Sequence, residues 1–188
     1  MLQFSDLNDI EPLTRSHSRA SFSCGVGKLD NYIKHQSIRN AESNFSRVFV
    51  LTLRKSPDII VGYYSLSALQ ISMEKLAEHI RKELPKYPVV GTTLLGRLAV
   101  DEKWQRDKCN LKLGEHLLVD AMVKAWHANQ LVASYAMIVD VLIGEKGDPT
   151  PFYTKSGFQS FSETNALHRL YLPMTTIEQV LQKIGIIF

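Results

Sequence analysis

The chain has 188 residues, 45% hydrophobic and 22% charged, the balance of a folded globular protein, which excludes a disordered chain and suits a single domain over 1–188. A formal net charge of +3 with a pI of about 8.8 is too mild to argue for nucleic-acid binding by itself. No basic n-region opens the chain and no apolar run is long enough to span a membrane, so the expectation is a cytoplasmic protein without a membrane partner.

Gly25-Val26-Gly27 signals a turn. Lys28 to Ala41 predicts a helix, with Leu29, Ile33 and Ile38 apolar and Asp30 in its first turn. Arg47 to Arg54 is β-rich, Ser56-Pro57-Asp58 is a turn and Ile59 to Ala68 a second strand, which together predict a hairpin. Met73 to Leu84 predicts a helix, because Leu76, Ile80 and Leu84 recur on one helical face; Pro85 and Pro88 end it. Leu94 to Val100 reads as a strand. Lys112 to Gln130 is the strongest helix, with Leu113, Leu117, Leu118, Ala121, Met122 and Ala125 in one apolar stripe. Tyr135 to Val141 is another strand. Pro149-Thr150-Pro151 breaks the chain, Phe152 to Ser156 forms a short helix and Gly157 stops it. Phe158 to Phe161 starts a strand, Arg169 to Leu172 is the last strand, and Thr176 to Ile184 a closing helix. This order predicts a mixed α/β or α+β sheet with helices on its faces. The strand ending at Val100, its helix and the strand near Val139 suit a right-handed parallel crossover.

One juncture carries chemistry. A strand ends at Leu98-Ala99-Val100-Asp101, and downstream Gly114 opens a helix. Glycine there lets backbone approach a ligand, and the free N–H groups of a first helical turn favour phosphate. A strand beside it offers backbone groups to an extended ligand. Coenzyme A combines a pyrophosphate with a peptide-like arm and fits that pairing. Arg97, Lys103, Arg106, Lys108 and Lys112 surround the loop, and Lys34, His35, Arg39, Arg47, Arg54 and Lys55 crowd the N-terminal third. Such a rim suits CoA phosphates, an RNA or both. His35, His116, His127 and His168 show no ligand pairing, so no metal is expected. Cys24 and Cys109 match no metal or disulfide framework and read as reduced thiols, Cys24 as a small buried group.

These residues resemble the GNAT acetyltransferase superfamily. Leu98-Ala99-Val100 resembles its central strand, Gly114 the last glycine of its pyrophosphate loop, and Phe152-Tyr153-Thr154-Lys155-Ser156-Gly157-Phe158 its FYxxxGF segment. More narrowly the chain resembles the acetyltransferase toxins of bacterial toxin–antitoxin modules. Phe22-Ser23-Cys24-Gly25-Val26-Gly27-Lys28-Leu29-Asp30-Asn31-Tyr32-Ile33 matches a FxCGxxxLDxYL-like segment. Further matches are Arg47 to Val50, Val61 to Ser67, Tyr87-Pro88, Leu94 to Asp101 and Leu170 to Ile177, so that the likeness covers roughly residues 5 to 180. One departure stands out. The family's loop reads Gln-x-x-Gly-x-Gly, whereas here Gln105 is followed by Arg106 to Leu113 before Gly114, longer by a few residues and without the first glycine. Asn110, which tolerates left-handed backbone, is expected to make that turn, or Lys112 to offer charge instead.

The resemblance implies a GNAT-like mixed, largely antiparallel sheet flanked by helices, with a splayed parallel strand pair at the acyl-CoA site. It implies an acetyl-CoA-dependent N-acetyltransferase acting on the α-amine of aminoacyl-tRNA, a toxin that blocks translation, usually a homodimer held by a ribbon-helix-helix antitoxin. Tyr153 is the candidate acid for the CoA sulfur; packing alone is the competing role for its ring. Leu98, Ala99, Val100, Gln105, Lys112, Leu113, Gly114, Glu115 and Phe152 are candidate acetyl-CoA contacts. Arg39, Arg47 and Arg97 are candidate tRNA contacts, with surface salt pairs or a solvated strand edge as the alternative. A GNAT enzyme for a small amine or protein N-terminus, and a non-catalytic module with a degenerate CoA loop, are the competing functions.

Overall fold

The computed structural model of the chain describes residues 2–144, 146–160 and 168–187. Among them are strands β1 (Glu11–Pro12), β2 (Arg47–Leu53), β3 (Ser56–Ser72), β4 (Val89–Val100), β5 (Ala136–Asp140), β6 (Gln159–Ser160) and β7 (Arg169–Pro173). The α-helices are α1 (Gly27–His35), α2 (Ser37–Glu42), α3 (Glu78–Glu83), α4 (Leu113–Asn129), α5 (Thr150–Lys155) and α6 (Met174–Lys183). The seven strands are hydrogen-bonded in the order β1-β2-β3-β4-β5-β7-β6. β1–β2, β2–β3, β5–β7 and β6–β7 are antiparallel, and β4–β5 is parallel. The parallel ladder runs from Thr93↔Met137 to Leu95↔Val139, while β4 continues to Val100. That is the mixed sheet with one parallel pair expected from the sequence. Among the described residues no helix is long and apolar enough to cross a membrane.

The chain divides into two compact units. The first comprises Met1–Ser67 with Gly96–Ala121. Its core joins Leu13, Phe22, Cys24, Tyr32, Ile33, Val48, Val50, Ile60, Tyr63 and Ala99. Leu29, Tyr32 and Ile33 fall on one face of α1, so the helix lays that face on the sheet. Neighbouring residues of β3 point to opposite faces. Tyr63 enters the α1 side and donates to the Leu29 carbonyl at 2.9 Å. Tyr64 points the other way and donates to the Asp120 carboxylate on α4. Gly62 shares the Tyr64 side, where it leaves room for Leu117 of α4.

The second unit comprises Ala68–Leu95 with Met122–Phe188. Ala136 and Ile138 of β5 pack with Ile71, Leu76, Ile80 and Tyr171. All four residues from Ala136 to Val139 are buried, as a central strand requires.

The boundaries differ from the sequence expectation in instructive places. The helix expected over Lys28 to Ala41 is broken at Gln36. The fully buried Ser37 hydroxyl donates to the Ile33 carbonyl at 2.6 Å, a back-bond that competes with helix continuation. Met73 to Leu84 is not one helix: a 3-10 turn over Met73–Lys75 leads through extended Leu76 and Ala77 into α3. Leu76 and Ile80 are buried all the same. The Pro149-Thr150-Pro151 segment starts α5 rather than breaking the chain. Pro151 lies in the first turn, where a missing N–H costs nothing, and the Asp148 carboxylate accepts the Thr150 N–H at 2.8 Å; the Thr150 side chain first, and this N–H second, hold the Asp148 pKa below the usual value. The end of the strand expected at Phe161 lies outside the described residues.

Candidate functional site

In the first unit, Leu98, Ala99 and Val100 are the last residues of β4. Leu98 and Val100 are partly exposed and Ala99 is buried. Buried Asp101 fixes the chain where it leaves the strand. Its carboxylate accepts the Ser23 N–H at 2.9 Å and the Lys103 N–H at 3.0 Å, capping the 3-10 turn Glu102–Trp104. The Gln105 side-chain amide donates to the Val100 carbonyl at 2.9 Å and the Cys24 carbonyl at 3.1 Å. Gln105 therefore ties the strand end to the loop before α1.

The longer loop closes on itself. Lys108 and Cys109 N–H groups donate to the Gln105 carbonyl at 2.8 and 3.0 Å. The buried Cys109 thiol donates to the Trp104 carbonyl at 2.9 Å. The additional residues thus form a compact turn anchored by Cys109. Asn110 does not make the left-handed turn expected of it; among described non-glycine residues only Asn44 and His168 have positive φ.

Lys112 leads into α4: its carbonyl accepts the His116 N–H at 3.0 Å, the first rung of the helix. The N–H groups of Leu113, Gly114 and Glu115 precede that rung and have no partner inside the helix. The Lys112 ammonium lies 3.5 Å from the Glu115 carboxylate, both half exposed. This end of the unit offers backbone donors and a cation to an anion.

Arg97 lies inside β4, one residue before the Leu98-Ala99-Val100 segment. Its guanidinium carbon sits 3.7 Å from the Tyr32 ring centroid. Tyr32 is itself fixed, its hydroxyl 3.0 Å from the Ser46 hydroxyl and its ring stacked on Tyr63 at 6.2 Å. Arg47 is exposed and donates to the neutral Asn44 side-chain oxygen at 2.9 Å. Arg39 is exposed on α2, and Glu42, its neighbour one turn on, is held by Arg15 at 2.7 and 2.9 Å.

In the second unit, Tyr153 sits on α5 and is only 7% exposed. Phe152 and Phe158 meet its ring edge to face at 5.0 and 5.6 Å. Gly157 has φ +95, which ends the helix and turns Phe158 back so that its N–H donates to the Tyr153 carbonyl at 3.2 Å. The FYxxxGF pattern is thus a clamp on Tyr153. Its hydroxyl has no hydrogen-bond partner among the described residues, and burial pushes its phenol up to about 12. Desolvation disfavours the phenolate, so Tyr153 keeps its proton at neutral pH.

Cys24 is buried, as expected. Burial, reinforced by Asp30, pushes its thiol up to about 12. Sequence reasoning gives Asp30, Asp101 and Tyr32 no role in the site. Asp30 takes the Cys24 N–H at 2.7 Å, which explains the acidic residue in the FxCGxxxLD segment. The cue for Asp101 is its place immediately before a short polar turn, the position of a capping residue. Tyr32 carries no local cue. Among the described residues no group of three His, Cys, Asp or Glu could hold a metal.

No family model matches the chain. A tRNA-acetylating toxin of Mycobacterium tuberculosis is 33% identical over 153 residues, 81% of this chain and 84% of that protein. A probable toxin, TacT, of Sinorhizobium fredii is 24% identical over 177 residues, 92% of this chain and 94% of its own. Among solved structures, a tyrosine-to-phenylalanine variant of KacT superposes with a TM-score of 0.81 at 28% identity, covering 93% of this chain and 99% of that one. AtaT in complex with acetyl-methionyl-tRNAfMet gives 0.79 at 26%, covering 94% and 99%. AtaTR bound with acetyl-CoA gives 0.78 at 25%, covering 95% and 99%. A variant AtaT toxin bound to the C-terminus of the antitoxin AtaR gives 0.74 at 25%, covering 93% and 98%.

Proposed function

Because this chain belongs to the family of tRNA-acetylating toxins built on the GNAT acetyltransferase fold, we propose that it acetylates the α-amine of aminoacyl-tRNA and so stops translation. The observation that carries this reading is family membership together with the local features each unit keeps. Despite its longer loop, the first unit keeps a β4 end tied down by Gln105 and a first helical turn with three N–H groups available, and the second unit, by itself, keeps a clamped tyrosine whose hydroxyl has no partner among the described residues.

Acetyl-CoA supplies the activated acetyl group. Leu113, Gly114 and Glu115 present N–H groups to its pyrophosphate and Lys112 adds charge. Leu98, Ala99 and Val100 offer β4 backbone to its peptide-like arm and an N–H to the developing oxyanion. Phe152 positions Tyr153. Gln105 holds the strand end rather than the ligand, since its amide is engaged by Val100 and Cys24. As the α-amine nitrogen bonds the acetyl carbon and the carbon–sulfur bond breaks, Tyr153 donates its proton to the departing sulfur and the proton lost from the nitrogen restores the phenol through solvent, a role suited to a phenol whose ionisation is suppressed by burial. Arg39, Arg47 and Arg97 face the tRNA. No step uses a metal ligand from this chain.

The chain acts as one domain over 1–188, in the cytoplasm where charged tRNA resides, as a homodimer neutralised by an antitoxin of ribbon-helix-helix type. The AtaT complexes with acetylated tRNA and with antitoxin support this reading. The test is incubation with labelled acetyl-CoA and charged total tRNA, followed by identification of the modified aminoacyl end. Label on free amines or protein N-termini instead of tRNA refutes the substrate. The absence of any thermal shift with millimolar acetyl-CoA refutes catalysis and leaves a binding module.

A further inference from the structure

The turn between α2 and β2 shows an aromatic ring where burial would be the norm. Phe45 is 74% exposed, yet its backbone is held firmly. The Phe45 and Ser46 N–H groups both donate to the Asn40 carbonyl, at 2.9 and 3.2 Å. Asn44 before it adopts φ +58, and its side chain accepts from Arg47. A large ring on a rigid turn is presented at low entropic cost, which suits a stacking partner.

Two arginines beside it have no ion pair among the described residues. Among the described residues Arg47 meets only a neutral amide oxygen and Arg39 has no ion-pair partner, Glu42 being engaged by Arg15. From this turn a fixed line leads to β4: Ser46 holds the Tyr32 hydroxyl, and the Tyr32 ring carries the Arg97 guanidinium. Tyr32 packs with Tyr63 on the α1 side of the sheet, whereas Leu117 of α4 meets Gly62 on the other.

We infer that Phe45 is a nucleobase-stacking platform for the single-stranded end of the acceptor RNA, flanked by Arg39 and Arg47 on its phosphates and leading along Tyr32 to Arg97. A bare ring takes any base by its π-face, and guanidinium groups take the backbone without reading sequence. The inference rests on the functional reading above. It adds a residue with no charge and no reactive group, which no inspection of basic patches would select.

The test compares Phe45→Ala, Phe45→Leu and Phe45→Trp in steady-state acetylation of charged tRNA, with sedimentation of each variant. Phe45→Ala is expected to raise KM for charged tRNA about 10-fold with the loss carried by KM rather than kcat. Phe45→Trp should restore it and Phe45→Leu should not, because stacking needs a ring and not merely apolar bulk. Arg47→Ala should lower the slope of affinity against salt by about 1. Equal KM values for Ala, Leu and Trp variants overturn the inference while active wild-type enzyme keeps the functional reading intact. A Phe45→Ala variant that loses its oligomeric state with KM unchanged also overturns it, by assigning the ring to a second copy. A wild-type protein that acetylates no charged tRNA overturns the functional reading itself.

Discussion

Gly62→Ala is the sharpest test of how the two faces of β3 meet the candidate site. A Cβ there would lie 2.8 Å from Leu117 Cδ1 and 3.0 Å from the Ala99 carbonyl oxygen, where ordinary contact begins at 3.4 Å. Leu117 is fully buried on α4, so its methyl has no open space to swing into. The Ala99 carbonyl belongs to the β4 end proposed above to face acetyl-CoA. Overpacking of this kind costs about 1–3 kcal/mol. Replacing glycine in a strand returns about 0.5–1 kcal/mol through the unfolded chain. The net expectation is a loss of about 1–1.5 kcal/mol, or a Tm lower by about 2–6 °C for a chain of this size. Because relief of the clash pushes on the β4 backbone, acetyl-CoA affinity should fall as well. Urea unfolding with an unchanged m-value measures the first effect and isothermal titration with acetyl-CoA the second. Gly91→Ala is the control, since its Cβ would meet only the Ala133 carbonyl at an ordinary 3.7 Å. A Gly62→Ala protein as stable as wild type, with acetyl-CoA affinity unchanged, refutes the reasoning.

Asp101→Asn keeps the size of the buried cap but replaces one acceptor oxygen by a donor facing an N–H, at either the Ser23 or the Lys103 contact. Denaturation should show a loss of about 1.5–3 kcal/mol and KM for acetyl-CoA should rise. Tyr153→Phe should keep the fold and acetyl-CoA binding and cut kcat at least about 100-fold. With the phenol pushed up to about 12, kcat should show no alkaline fall from this group below about pH 10. The sign also holds for stability: the neutral phenol's contribution is complete below the unfolded pKa of about 10 and is lost as pH rises toward the folded value, so Tyr153→Phe should flatten the alkaline limb of the stability curve. Gly114→Asp should weaken acetyl-CoA through bulk and like charge in the first turn of α4, with titration calorimetry as the readout. Both cysteines are buried, and Cys24 is pushed up to about 12, so a thiol reagent at pH 8 should label neither in the native protein and both in denaturant.

The local elements of this protein are legible in its sequence because their signals are local. The α4 stripe, the β2–β3 hairpin, the strand at Leu94 to Val100 and the Phe152 to Phe158 turn each follow from periodicity, from Gly and Pro placement, or from a short motif. Tyr153 and Gly114 come from the same motifs. Where structure and expectation part, tertiary contacts decide. Ser37 breaks the α1–α2 helix with a hydroxyl whose burial no spacing shows. Leu76 and Ile80 reach one core without a continuous helix. The additional residues after Gln105 close on buried Cys109 instead of turning at Asn110.

Only the folded chain reveals that Gln105 is a strut, that Asp101 caps a turn by gripping Ser23 across 78 residues of sequence, and that Arg97 rests on Tyr32. Such pairs join segments distant in the chain, and their geometry depends on strand register and packing. A residue's own neighbours carry no trace of either. The chemistry available to the protein is written in its residue types; which groups stand free for a ligand and which are already engaged is settled only when the strands pair.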